Sequence, residues 1–415
     1  MTSDQMDTLN LPRIERQSPE WLADSRAIIA QLQRTSPLAV SDEGIEVLTH
    51  QSARRVLTQD REFAPASGAV LSAVKEVPEH VELFLRDGLL PAIDRPRHTQ
   101  IRRVLMSVFT ARRVDQQRDL IRQTAQELID EFIEIGEADF VADFTSKFPL
   151  RVVTKIMGVP HEDIPLFQEW TFRIGRLSDH PLGSTYPLVD EALAATAEYL
   201  HELIARRRAA PTDDFVTALL RAQETDGVLT ENEMIYNLVN LLMAGQDTTQ
   251  LQLASALYLL GTHRDQWNDL TANPDLAINA VDESMRFEPS VRRLYRTPRR
   301  KTEVEGRVFK PGDALVPNTE AANRDPRVFP GPDTFDIRRP NASQQLTFSI
   351  GPHFCLGAAL SRAEQSEALV MLTQLIPDFA VTDEIEFRSS AHNFGGPERF
   401  VIKFPAAPGK GAPKQ

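Results

Sequence analysis

Phe348-Ser-Ile-Gly351-Pro-His353-Phe-Cys355-Leu-Gly357 contains the only cysteine among 415 residues. With no second cysteine the chain can build neither an internal disulfide nor a thiolate zinc cluster. A thiolate still has two uses, as a nucleophile or as the axial ligand of a haem iron. The neighbours favour the ligand. Gly351 and Gly357 let the backbone bend and approach a flat group closely. Ala358 to Leu372 carries apolar residues at helical spacing, which places Cys355 at a helix N-terminus. There, free N–H groups and the helix dipole stabilise an anionic sulfur. His353 can donate to an acidic substituent of the ligand. As a nucleophile Cys355 would need a base and an orienting group; His353 is at hand, but no signature of such a site surrounds it.

The segment resembles the haem-binding signature of the cytochromes P450, Phe-x-x-Gly-x-His/Arg-x-Cys-x-Gly, at every fixed position, with Phe348, His353, Cys355 and Gly357 in place. The signature is highly specific, and the resemblance runs from about residue 28 to 405. It implies a mainly α fold with small β-sheets, a helical prism enclosing haem b, with Cys355 as the metal ligand.

A second segment bears on the same chemistry. Thr230-Glu-Asn-Glu233 has capping-box spacing and opens a run without proline through Leu260, ~45 Å of helix at ~1.5 Å per residue. Its middle is apolar nearly all round, the mark of a buried helix. Into it falls Gly245-Gln-Asp247-Thr248-Thr249. A carboxylate and hydroxyls are costly in a buried helix unless partnered. Gly245 and the threonine hydroxyls predict a local distortion of the helix here. Asn240, Met243, Ala244, Asp247 and Thr248 share one face, and Ala244 is small enough to let a planar ring approach. Ala244-Gly-Gln-Asp-Thr248 looks like the P450 oxygen-activation motif. That resemblance makes Asp247 and Thr248 the catalytic pair: Thr248 stabilises activated dioxygen and Asp247 relays protons.

Supporting residues follow from the same resemblance. Glu283-Ser-Met-Arg286 are one helical turn apart and match the structural Glu-x-x-Arg pair, with Arg339 as the third member and Arg338 competing. His98, Arg102, Arg296 and His353 match the partners of the haem propionates, which need cationic or N–H donors when partly buried. Val291, Arg292, Arg293 and Leu294 occupy a stretch that, in the family, points over the haem. With Asn240 and Met243 they are the candidate substrate contacts, and one of the two arginines is expected to anchor a substrate carboxylate.

Composition bounds the rest. The charge count of 46 Lys+Arg against 59 Asp+Glu, net −13, argues against a nucleic-acid binder. No stretch approaches the ~18 apolar residues of a membrane span, and the N-terminus lacks signal-peptide character, so a cytoplasmic monomer is expected. Residues 1–20 read as an irregular arm, 21–405 as one catalytic domain, and 406–415 as a disordered tail. Trp21 to Gln33 reads as a helix; Pro37 to Thr49 as a hairpin turning at Glu43-Gly44; 64–94 as a segment with one or two short helices. Residues 98–221 read as nearly all helix, broken at Gly136, Pro149, 158–160, 179–184 and 210–212, followed by helices at 230–262 and 275–287. Residues 295–339 read as short strands and loops, and Phe400 to Phe404 as a last strand.

The resemblance implies a monooxygenase that inserts one oxygen of O₂ into a small hydrophobic substrate. One cysteine cannot hold an iron–sulfur cluster, and no dinucleotide fingerprint follows a strand. Electrons are therefore expected from a separate ferredoxin or flavodoxin with its NAD(P)H-dependent reductase. It would dock on the cysteine side, near Arg103, Arg112, Arg113 and Arg362. A peroxide-driven or O₂-independent haem-thiolate enzyme, or a haem sensor, could share the cysteine loop; Asp247 and Thr248 disfavour the first two.

Overall fold

The computed structural model describes residues 10–66, 76–178 and 183–407. Its helices are α1 (Pro19–Thr35), α2 (His50–Thr58), α3 (Glu79–Leu83), α4 (Arg97–Val108), α5 (Ala111–Gln116), α6 (Arg118–Asp130), α7 (Phe148–Met157) and α8 (Ile164–Gly175). They continue as α9 (Tyr186–Ala209), α10 (Phe215–Asp226), α11 (Glu231–Thr262), α12 (Arg264–Ala272), α13 (Ala277–Phe287), α14 (Thr319–Ala322) and α15 (Ala358–Leu375). The mainly helical fold with small sheets is as expected. Pro149 lies in the first turn of α7, where its missing N–H costs nothing, so it opens a helix rather than breaking one. The break expected at 179–184 falls largely outside the described residues.

Helix α11 is the spine. Thr230 Oγ1 accepts from the Glu233 N–H at 3.2 Å and the Glu233 carboxylate accepts from the Thr230 N–H at 2.7 Å, closing the capping box. Arg97 ion-pairs with the same carboxylate, joining α4 to the start of α11. The expected distortion at 245–249 is corrected: α11 is continuous from Glu231 to Thr262. Thr248 Oγ1 donates to Ala244 O at 2.7 Å, adding a bond to the i−4 carbonyl without displacing the ladder.

The strands are β1 (Leu38–Ser41), β2 (Gly44–Val47), β3 (Phe63–Pro65), β4 (Glu137–Asp139), β5 (Arg296–Pro298), β6 (Thr302–Val304), β7 (Arg307–Phe309), β8 (Leu315–Pro317), β9 (Ala380–Phe387) and β10 (Pro397–Lys403). One sheet runs β1-β2-β8-β5-β3, a second β4-β10-β9, and a hairpin pairs β6 with β7. Ser41 pairs directly with Gly44, so the first hairpin turns at Asp42-Glu43, one residue before the expected place. Within the N-terminal arm, Ile14 donates to Val40 O at 2.8 Å and is buried, so residues 12–16 lie along the first sheet. Of the expected tail, Ala407 donates to Ile133 O at 3.0 Å; residues 408–415 lie outside the described part. The main core is built by α4, α6–α11, α13 and α15, with a smaller core under the first sheet. Among the described residues no helix is long and apolar enough to cross a membrane.

Candidate active site

Three elements converge on the cysteine loop. Cys355 is half-buried three residues before α15, its N–H donating to Phe348 O at 2.9 Å. Ser349 and Gly351 both take positive φ, which folds the loop back on itself. Burial pushes the Cys355 thiol up; the N–H groups of Gly357 and Ala358 and the charges of Arg102 and Arg362 pull it back toward thiolate. Phe348 is buried under the Arg362 guanidinium, 4.7 Å from the ring centre.

Helix α11, tied to α15 at Thr249 and Ser361, carries the predicted motif. It is buried over most of its length, yet Ala244 is exposed and Met243, Asp247 and Thr248 are half-buried. A small residue open to space in the middle of a core helix is the surface a flat group would cover. Burial pushes the Asp247 carboxyl up, and the charge of Arg388 pulls it partly down. Asn240 is buried with its Oδ1 unpartnered. Thr249 Oγ1 meets Ser361 Oγ at 3.2 Å, tying α11 to α15; these residues are 112 apart in sequence and no local pattern announces the contact.

The four expected propionate partners come together from three segments. The His98 and His353 rings stack with centroids 3.9 Å apart. His98 Nε2 and His353 Nδ1 are buried without partners. Arg296 is buried and donates to Tyr295 O at 2.9 Å. Among the described residues no carboxylate lies within ion-pair distance of Arg102 or Arg296. Burial, then Arg102 and Arg296, push His98 down to about 4; burial, then His98 and both arginines, push His353 down to about 3; burial alone lowers Arg296 to about 10. A buried cluster of bases with orphaned donors and no paired anion has the chemistry two propionates satisfy. Together with a lone half-buried cysteine and an open alanine face, these residues fit a haem.

The brace is equally plain. Arg286 donates to Glu283 at 2.7 and 2.8 Å, and Arg339 Nε to Glu283 Oε1 at 3.2 Å. Arg338 is exposed and pairs with Asp269, so Arg339 is the third member.

Two expectations are corrected. Arg292 Nη1 donates to Ser389 O at 3.0 Å and His392 O at 3.4 Å; Arg293 donates to Ala391 O at 3.0 Å and reaches Glu43 at 2.7 Å. Both guanidiniums are buried and engaged, so neither is placed as a carboxylate anchor. Between and beside them, Val291 and Leu294 are half-buried. Arg362 pairs with Asp282 at 2.8 Å as well as covering Phe348, which makes it a part of the cysteine loop's support rather than a free docking charge. Arg103, Arg112 and Arg113 are exposed.

The family model for Cytochrome P450 matches residues 166–393. The chain is 34% identical over 358 residues to the mycinamicin IV hydroxylase/epoxidase of Micromonospora griseorubida, covering 84% of this chain and 87% of that one. It is 31% identical over 409 residues to the luteothin monooxygenase of Streptomyces thioluteus, covering 96% and 97%. Among solved structures, P450BioI in complex with hexadec-9Z-enoic acid ligated acyl carrier protein matches with a TM-score of 0.84 at 25% identity, over 93% of this chain and all of that one.

Proposed function

The chain belongs to the cytochrome P450 family and is a monooxygenase of that family, and from that premise we propose that it binds haem b through Cys355 and oxygenates a neutral, hydrophobic small molecule. The observation that carries the reading is that this chain combines Cys355, the open Ala244–Thr248 face and a His98–Arg102–Arg296–His353 cluster whose arginines have no ion-paired carboxylate among the described residues. When bound there, haem supplies the two-electron activation of O₂ that places one oxygen atom in a C–H bond or double bond and releases the other as water. Cys355 would hold the iron, and the Gly357 and Ala358 N–H groups favour its thiolate. His98, Arg102, Arg296 and His353 would hold the propionates. Asp247 and Thr248 on α11 would handle protons for the bound group. A carboxyl raised by burial moves toward the pH at which it both takes and gives a proton, so Asp247 passes protons from solvent toward the Thr248 hydroxyl.

Both candidate arginines are engaged elsewhere, so the pocket is proposed to select by shape and apolar contact from the face of Met243, Ala244, Val291 and Leu294. Electrons come from a separate ferredoxin or flavodoxin and its NAD(P)H-dependent reductase. The proposed docking face carries Arg103, Arg112 and Arg113 around the exposed Met106 and Phe354. The test is a spectral titration of the ferric protein. Neutral terpenes and steroids should blue-shift the Soret band, and the reduced CO complex should show the red-shifted thiolate band. A shift confined to carboxylates would overturn the neutral-substrate reading; absence of the thiolate band would overturn Cys355 as ligand.

A further inference from the structure

The two arginines that do not anchor a carboxylate are still buried, and a buried guanidinium is costly to keep. Arg292 is 5% exposed and Arg293 1%. Arg293 reaches Glu43 at 2.7 Å, and Arg292 O accepts from Thr319 N at 2.8 Å, but most of their contacts bear on one loop, residues 388–396, between β9 and β10. The main chain is already stapled there: Arg292 N donates to Asn393 O at 2.9 Å and Gly395 N to Ser290 O at 3.0 Å, around a Val291–Phe394 bridge. Arg293 N donates to Asn393 Oδ1 at 2.8 Å. The guanidiniums then bond the carbonyls at the tip, Arg292 to Ser389 and His392 and Arg293 to Ala391. Glu288, at 3.7 Å, is the acidic partner of Arg292, whose Nε has no partner.

The fit is tight on the loop side too. A Cβ on Gly395 would stand 2.5 Å from the Arg292 guanidinium, so glycine is required for the arginine to lie flat on the loop backbone. The far end of the loop presses on α11: a Cβ on Gly396 would lie 2.8 Å from Leu251 O, one turn beyond Asp247. Arg388, at the near end, is the charge that pulls Asp247 down. The loop is thus wedged between an arginine brace and the oxygen-side stretch of α11.

We propose that Arg292 and Arg293 are positioning residues for substrate selection, fixing loop 388–396 as a rigid wall of the substrate space. This rests on the haem-thiolate reading. A planar fork bonded to several carbonyls sets position in a way an apolar side chain, free to slide, does not.

The experiment uses the holoenzyme, with Arg292→Gln, Gly395→Ala and the double variant. The probes are imidazoles of growing bulk, which ligate the iron through nitrogen whatever the natural substrate, followed by their red shift of the Soret band. The expected result is an unchanged thiolate band in the reduced CO complex, with the ratio of dissociation constants between bulky and small imidazoles changed about tenfold or more, ~1.4 kcal/mol. Both single variants should show it, and the double variant should add little, since both act on one contact. Bulk ratios within about twofold of the parent in Gly395→Ala, with the thiolate band intact, would overturn the proposal; Gly395→Ala alone decides if Arg292→Gln does not fold. Loss of the thiolate band in the parent would instead overturn the haem-thiolate reading.

Discussion

Replacing Glu283 with Ala removes the anion at the centre of the brace. Glu283 and Arg286 are both fully buried, and Glu283 Oε1 also accepts from the Asp336 N–H at 2.9 Å. Without it, Arg286 keeps only the carbonyls of Asn323, Pro332 and Thr334, at 3.1, 2.8 and 3.0 Å, and Arg339 only those of residues 330–334. Two cations are then buried on dipoles alone. Removing one partner of a buried pair costs ~3–5 kcal/mol. Unfolding entropy near ~2.1 cal/mol/K per residue gives ~0.9 kcal/mol/K over 415 residues, so a ~4 kcal/mol loss lowers Tm by about 4–5 °C. The damage reaches the cysteine loop, because Asn323 accepts from Leu346 N at 2.7 Å and donates to Thr347 Oγ1 at 3.1 Å. Thermal melts of the holoenzyme, with haem content followed by Soret absorbance, check both effects. A Glu283→Ala protein melting within about 1 °C of the parent would refute the reasoning, since that is the shift expected of a surface pair. Arg338→Ala is the control: its pair with Asp269 is exposed, and no change is expected.

Gly351→Ala puts a Cβ at a φ of +80°, 2.9 Å from Leu57 O. The left-handed backbone alone costs ~1–2 kcal/mol, so a lower haem-to-protein ratio is expected, and an unchanged ratio with unchanged Tm would count against the loop's strain. Asp247→Asn should slow NAD(P)H-driven turnover with generic redox partners on the order of 10²-fold while leaving the thiolate band in place; full turnover would remove Asp247 from the proton path. Glu364, buried on α15, is pushed well above the usual carboxylate range by burial. An acid raised on folding gives its full stability below an unfolded value of ~4.3 and loses it as pH rises toward the folded value. Glu364→Gln escapes that loss, so Tm of the variant minus Tm of the parent should grow with pH above ~4.3; a flat difference would show that burial costs this carboxylate nothing.

The proposed site is legible where a few adjacent residues make it up. Cys355 with its glycines and His353, Ala244 to Thr248 on one helical face, and Glu283 with Arg286 one turn apart all depend on local spacing, and local spacing is what a helix or a tight loop preserves. The helices of 98–221 were readable for the same reason. Strand β9, helix α12 and the parallel pairing of β2 with β8 were not. The partners of β2, near residue 45, lie near residue 316, and nothing local encodes a contact of that range. Side-chain direction belongs to the same class. The sequence placed Arg292 and Arg293 in the stretch that frames the site. Only the tertiary structure set them against loop 388–396, because the carbonyls that satisfy a buried guanidinium arrive from a strand connection about a hundred residues away. The His98–His353 stack is likewise a product of folding. Each histidine could be suspected alone, but their meeting exists only once α4 packs beneath the cysteine loop.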